Sequence, residues 1–211
     1  MDRRLFLQGT GALALSAASI IGFSRSASAQ SIEIDELMKL GTLPEMTLGA
    51  DDAPVTIVEY ASMTCGHCAN FHKNTYPDLK KDYIDTGKVR FVFREFPLDT
   101  VALGAFMMAR CSPEDKYFEI VDLLFADQRS WAFTDDPYNA MLGIAKQIGF
   151  TQETFDACLQ NQEILDGITW VKDRAANDFG VNSTPTLIVN GEVQRGALSF
   201  DELEKVVQSK M

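Results

Sequence analysis

The sequence predicts an α/β fold that is interrupted by a long helical block. A strand–helix–strand pattern spans 55–94, helical periodicity dominates 100–180, and strands return beyond residue 185. The chain has 211 residues, of which 46% are hydrophobic and 23% charged. That composition is typical of a soluble globular protein, and the length allows one or two folding units.

The first 29 residues have the features of an export signal. Arg3 and Arg4 form a positive start, a mildly apolar stretch follows over 5–23, and Ala27-Ser28-Ala29 is an A-x-A-like cleavage site. The paired arginines resemble a twin-arginine signal, with a plain secretory signal or an uncleaved anchor as the alternatives. We expect export and cleavage after Ala29. Outside the cytosol, cysteines can form disulfides.

The residues that follow predict a parallel strand pair. The N-terminal segment 30–44 contains a short amphipathic helix at about 32–40. A β-branched run over 55–60 predicts a strand, a helix runs from about 65 to 85, and a second strand covers 89–94. A strand–helix–strand unit implies parallel strands joined by a right-handed crossover.

The rest of the chain predicts a helical block and then a closing hairpin with a helix. Thr151 is a candidate N-cap within the block, and Gly180 is placed where a helix ends. Asn190-Gly191 is a strong two-residue hairpin turn. The predicted helices are 100–111, 114–127, 135–149, 152–160 and 163–179, and the closing elements are strands 186–189 and 192–195 and a helix 199–210.

The charge balance limits the partners. The 19 basic and 30 acidic residues give a formal net charge of −11. A surface this acidic repels phosphate backbones, so we expect no nucleic-acid partner. With four cysteines and two histidines, the chain has few ligands for an elaborate metal centre.

The motif Cys65-Gly66-His67-Cys68 lies between a predicted strand and a predicted helix. A C-x-x-C in a βαβ context indicates a redox-active pair. Amides and the dipole at the helix start favour a thiolate at Cys65, one turn from Cys68, and His67 as a donor between them acts in the same direction. The sequence therefore predicts catalytic roles for Cys65, Cys68 and His67.

Other interpretations of this motif have less support in the sequence. A zinc site would combine Cys65 and Cys68 with His72, but a second ligand pair is missing, and His72 is better interpreted as a polar helix residue. Covalent haem requires C-x-x-C-H, and Ala69 occupies the last position. A purely structural disulfide in so short a loop would stabilise little. We expect no metal and no cofactor.

Three stretches together resemble the DsbA family of thioredoxin-fold proteins: VTIVEYASMTCGHCANF, VRFVFREFPL and NSTPTLIVNG. The resemblance covers nearly all of 45–211. It implies a thioredoxin-like core formed by 45–99 and 181–211, with an all-helical domain over 100–180 inserted into it. It also implies a periplasmic location.

The resemblance assigns roles to individual residues. Cys65 is the implied nucleophile and Cys68 the resolving cysteine. Thr184 and Pro185 match the family's cis-proline loop, which faces the active site and binds substrate. Glu59 matches an acidic position that exchanges protons with Cys68, with a surface carboxylate at the strand end as the alternative.

Cys111 and Cys158 both lie in the helical block, 47 positions apart. Some DsbA relatives carry a structural disulfide in this domain, so the resemblance implies a Cys111–Cys158 bridge. Two buried free thiols are the alternative.

The expected function is that of a periplasmic dithiol oxidase. It would take electrons from reduced exported polypeptides, be reoxidised by a quinone-linked membrane protein, and act as a monomer. The alternative is a disulfide isomerase or reductase, for example in cytochrome maturation, and a non-catalytic binding module is a more distant one. The Gly66-His67 dipeptide is the one that protein disulfide isomerases carry, and it predicts a potential nearer about −180 mV than about −120 mV.

Overall fold

The computed structural model describes residues 31–211, so the predicted signal segment lies outside the described residues. Within this range the strands form one five-stranded mixed sheet with the order β1-β3-β2-β4-β5. The strands are β1 Met46–Leu48, β2 Val55–Ala61, β3 Val89–Glu95, β4 Thr186–Val189 and β5 Glu192–Arg195.

The centre of the sheet is the predicted parallel pair. β2 and β3 run parallel with Val55 opposite Val89, and β4 pairs antiparallel with the other side of β2. The hairpin between β4 and β5 turns at Asn190 and Gly191, whose φ angles are 43° and 86°. Positive φ at both positions is what a type I′ turn requires, which confirms the predicted hairpin.

The helical block lies between β3 and β4, as the sequence predicted for this fold class. Short 3-10 and π-helical turns occur at Glu114–Lys116 and Lys80–Ile84. The α-helices are α1 Ile34–Leu37, α2 Gly66–Asn74, α3 Tyr76–Leu79, α4 Thr100–Arg110, α5 Tyr117–Ala126, α6 Gln128–Ala132, α7 Pro137–Gln147, α8 Gln152–Leu159, α9 Gln162–Asp178 and α10 Phe200–Gln208.

The two faces of the sheet are buried by different elements, because successive side chains of a strand point to opposite sides. Val58 and Tyr60 pack in a smaller core with Leu37 of α1 and Ala175 of α9. The other face, which carries Ile57, packs in the main core with α2, α3, α10 and the inserted helices. Glu59 shares this second face by alternation, so it points toward the helices that carry the cysteine pair.

The structure corrects several predicted boundaries. The helix predicted over 32–40 is the single turn of α1, and the helix predicted over 65–85 is broken at Thr75 (φ −115°). Pro77 explains the break, because a proline cannot donate to the carbonyl four residues earlier and its ring clashes with it. β1 and α6 were not predicted, since three and five residues are too short to show a period.

Between residues 31 and 211, no helix combines the length and the apolar character that crossing a bilayer requires.

Candidate active site

The cysteine pair lies at the start of α2, just after the loop that connects it to β2. Cys65 is the N-cap of α2, and its sulfur accepts a hydrogen bond from the backbone N–H of Cys68 at 3.4 Å. Cys68 is fully buried, whereas Cys65 is 8% exposed. Both are free thiols. The more accessible sulfur is therefore the first one of the motif.

The environment of Cys65 stabilises its thiolate. A hydrogen bond from the Cys68 thiol is the main cause that lowers the pKa of Cys65 to about 5, against partial burial, which raises it. The hydroxyl of Thr184 and the backbone N–H groups of Cys68 and His67 lower it further. The sulfur is thus almost wholly ionised at neutral pH.

The opposite holds for Cys68. Burial raises its pKa well above the usual range, and the hydrogen bond to Cys65 and the negative charge of Glu59 act in the same direction. Two cysteines one helical turn apart therefore differ strongly in acidity. The arrangement provides one ionised sulfur at the edge of the site and one protonated sulfur beneath it.

The loop before β4 faces the cysteine pair. The Thr184–Pro185 peptide bond is cis, and the Thr184 carbonyl oxygen lies 3.2 Å from the Cys65 sulfur. The structure thus brings together the motif and the loop, which are far apart in sequence.

His67 and Glu59, the other two predicted site residues, lie on different sides of the pair. The His67 side chain is exposed, and its backbone N–H is the group that contributes to the pKa of Cys65. Glu59 is completely buried, so the alternative of a surface carboxylate is wrong. One Glu59 oxygen lies 3.0 Å from Nε2 of His72, which is itself buried.

One residue at the site was missed by the sequence interpretation. Gln128, at the start of α6, donates from Nε2 to the backbone carbonyls of Met63 and Cys65 at 2.8 and 3.0 Å. It is 5% exposed and connects the inserted helices to the loop that carries Cys65. A lone glutamine in an unpredicted five-residue helix gave no signal for this contact.

The second cysteine pair forms a bridge away from this site. Cys111, which follows α4, and Cys158, in α8, are joined with an S–S distance of 2.15 Å and a Cα–Cα distance of 6.0 Å. The bridge therefore lies wholly within the inserted helices. In the range 31–211, no group of three or more His, Cys, Asp or Glu side chains is arranged to hold a metal ion.

Comparison with known proteins places this geometry in a family. The family model described as Thioredoxin matches residues 42–209. A Rickettsia felis relative named as a protein-disulfide oxidoreductase is 32% identical over 168 residues, which are 79% of this chain and 60% of that protein. The chain thus spans about 60% of the length of the Rickettsia relatives that it matches.

Two further relatives match this chain along most of their own length. Disulfide bond formation protein D of Bacillus subtilis is 28% identical, covering 78% of this chain and 76% of that protein. The crystal structure of alpha-DsbA1 from Wolbachia pipientis superposes with a TM-score of 0.75 at 30% identity, covering 82% of this chain and 94% of that one. The chain therefore belongs to the thioredoxin family, among its DsbA-type members with an inserted helical block.

Proposed function

We propose that the chain is a dithiol oxidase that introduces disulfides into other proteins through Cys65 and Cys68. The observation that carries this proposal is the contrast in acidity between the two sulfurs. Cys65 has a pKa of about 5, and the pKa of buried Cys68 is raised well above its usual range. A thiol that ionises this readily is a good leaving group in disulfide exchange.

The reaction consists of two exchanges. A substrate thiol loses its proton to water and attacks the Cys65 sulfur of the oxidised pair as a thiolate. The Cys65–Cys68 bond breaks, and Cys68 takes the electron pair and a proton from water. A second substrate thiolate then attacks the substrate sulfur of this mixed disulfide, and Cys65 leaves as a thiolate. The substrate loses two electrons and gains a disulfide, and the enzyme is left as a dithiol.

The ionisation of Cys65 favours this direction. At pH 7 a pKa of about 5 stabilises the reduced form by about 3 kcal/mol relative to a protonated thiol. For a two-electron couple this corresponds to roughly 60 mV of additional oxidising potential. The reduced enzyme is therefore the favoured product, as a donor of disulfides requires.

Roles, partners and location extend the same proposal. Cys65 acts as nucleophile, and Cys68 resolves the mixed disulfide that forms with the reoxidising partner. The buried carboxylate of Glu59 exchanges a proton with Cys68, and the loop of Thr184 and Pro185 binds an extended substrate segment. The substrates are reduced exported polypeptides in the periplasm, and a quinone-linked membrane protein accepts the electrons. The near-complete coverage of alpha-DsbA1 supports this assignment.

Refolding of a reduced, cysteine-containing protein tests the proposal. The oxidised chain should restore the activity of such a substrate in stoichiometric amounts, and Cys65→Ala should abolish this. Cys111→Ala/Cys158→Ala is the matched control, because it removes the other pair and should retain the reaction. Full activity of Cys65→Ala would contradict the mechanism.

The Gly66-His67 dipeptide favours a second candidate, a disulfide isomerase or reductase. Equilibration with glutathione separates the candidates: a potential below about −250 mV would indicate a reductase. Faster recovery of a scrambled substrate than of a reduced one would indicate an isomerase.

A further inference from the structure

A buried cationic side chain lies beneath the cysteine pair, and the proposed exchange steps do not use it. His72 is on α2, one turn beyond Cys68, and it is 7% exposed. Its Nε2 lies 3.0 Å from Glu59 and its Nδ1 lies 3.6 Å from Asp122. A histidine between two carboxylates is expected to carry a proton on each nitrogen.

The packing fixes the ring in this position. The ring stacks on Phe125 of α5 at a centroid distance of 4.3 Å and lies 4.7 Å from the Tyr76 ring. Phe71 and Phe93 contact it edge-on. Four aromatic rings thus surround most of the imidazole, and the carboxylates of Glu59 and Asp122 are the charged groups that lie against it.

The charged groups around the ring come from several elements. Glu59 on β2 and Asp122 on α5 are the carboxyl groups that face the ring, and burial raises the pKa of the neighbouring Tyr76 phenol above its usual value. The two carboxylates outweigh desolvation and raise the pKa of His72 to about 9. The groove on the solvent side of the ring is also lined by charged Lys73, Lys80, Asp127 and Arg129.

We propose that His72 is a positioning residue that acts through Glu59: as a buried imidazolium held by Glu59 and Asp122, it keeps the Glu59 carboxylate ionised and able to accept the proton of Cys68. This role presupposes the proposed function, because Cys68 must become a thiolate when the reduced pair is reoxidised through a mixed disulfide on Cys65. Asp122 belongs to the inserted helices, so the insertion supplies one of the two carboxyl groups that face the ring.

The step that depends on His72 is the resolution of a mixed disulfide on Cys65. The Cys68 thiol gives its proton to a Glu59 oxygen, and the Cys68 sulfur attacks Cys65. The bond from Cys65 to the partner sulfur breaks, and the partner leaves as a thiolate. Glu59 can accept the proton only as a carboxylate, and burial without a counter-ion favours the protonated form of a carboxyl group.

The two steps can be followed separately with dithiobis-nitrobenzoate and the reduced protein. The first released thiolate reports attack by Cys65, and the second reports attack by Cys68. In His72→Gln the first phase should be unchanged, whereas the second should slow about ten-fold at pH 7 and recover as the pH rises to 9. Lys73→Gln removes an exposed cation from the same helix and should leave both phases unchanged.

Additional variants identify the route of the effect. Glu59→Gln should slow the second phase at all pH values, and His72→Gln/Glu59→Gln should be no slower than Glu59→Gln alone. Asp122→Asn removes one of the two carboxyl groups that face His72. In a larger share of the molecules the proton should then lie on Glu59, which leaves the His72 imidazole neutral. The second phase of Asp122→Asn should slow by a smaller factor, at least two-fold.

The outcomes separate the two proposals. A His72→Gln pH profile that superposes on that of the unchanged protein would overturn the role of His72. If His72→Gln does not fold, Asp122→Asn decides, because its side chain is about half exposed, and an unchanged second phase would overturn it. A His72 ring found neutral at pH 7 by nitrogen chemical shifts would also overturn it. If the protein without substitutions showed no first phase of thiolate release, the proposed function would instead be contradicted.

Discussion

The thiol of Cys68 is the main source of the acidity of Cys65, and this can be tested by removing a single atom. In Cys68→Ala the donor to the Cys65 sulfur is lost while the backbone N–H of residue 68 remains. A hydrogen bond to a charged group contributes about 1.5–3 kcal/mol, and a thiol is a weak donor, so the lower end applies. At 1.36 kcal/mol per unit, the pKa of Cys65 should rise by about one unit, to about 6.

Thiolate absorbance measured from pH 3 to pH 9 gives this pKa directly. In Cys68→Ala the only titrating thiol within the described residues is Cys65, because Cys111 and Cys158 are bridged. Cys68→Ser is the matched control: its hydroxyl still donates, so the pKa should stay near 5 or fall. Equal values in the alanine and serine variants would refute the reasoning and leave the amides at the start of α2 as the cause.

The pH dependence of reactivity follows with a definite sign. The pKa of Cys65 is lowered from 9.0 to about 5, so the thiolate predominates above about pH 5. The stabilisation of the reduced form is complete above about pH 9, declines as the pH falls and is lost as the pH falls through 5. At pH 4 about a tenth of the sulfur is ionised. Alkylation by iodoacetamide, corrected for the reagent, should therefore be about ten-fold slower at pH 4 than at pH 7. A rate that instead fell ten-fold between pH 9 and pH 7 would contradict the low pKa.

Three predictions concern stability and are tested by urea unfolding. Gln128→Leu leaves two buried carbonyls without their side-chain donor and should lower the free energy of unfolding by about 2 kcal/mol. Arg110→Met strips the completely buried Glu95 of its guanidinium partner and should cost about 3–5 kcal/mol, whereas Arg110→Met/Glu95→Leu should recover most of the loss. Replacing Cys111 and Cys158 by alanine opens a 47-residue loop. In the chain-entropy account this should lower the free energy of unfolding by about 4 kcal/mol and Tm by roughly 8–16 °C. For each of the three predictions, a change below about 1 kcal/mol would count against the assigned contact.

The sequence predicted those elements whose signal is local. The strands around Val58 and Val92 carry runs of β-branched and aromatic residues, and the turn at Asn190-Gly191 has the composition of a type I′ hairpin. Thr151 was predicted as an N-cap, and it forms a capping box in the structure, as Ser199 does at the start of α10. Such features depend on residues within four positions of each other, so one chain contains enough information to find them.

Other features of the site depend on contacts between distant parts of the chain. The low pKa of Cys65 was predicted, but it was attributed to the start of the helix, whereas the Cys68 thiol is the larger cause. His72 was interpreted as a polar helix residue, and nothing in its neighbourhood along the sequence shows that Glu59 and Asp122 lie on either side of it. Only the tertiary fold makes a polar residue of a helix into a buried cation.

The inserted helices contribute to the site through two polar contacts of different kinds. Gln128 donates to the backbone of the Cys65 loop, which fixes where the nucleophile lies. Asp122 faces His72 and, through it, Glu59, which bears on the proton that Cys68 must lose. One contact fixes geometry and the other fixes charge, and each acts on a different cysteine. A variant of Gln128 should therefore act on the position of Cys65, and a variant of Asp122 on the proton of Cys68.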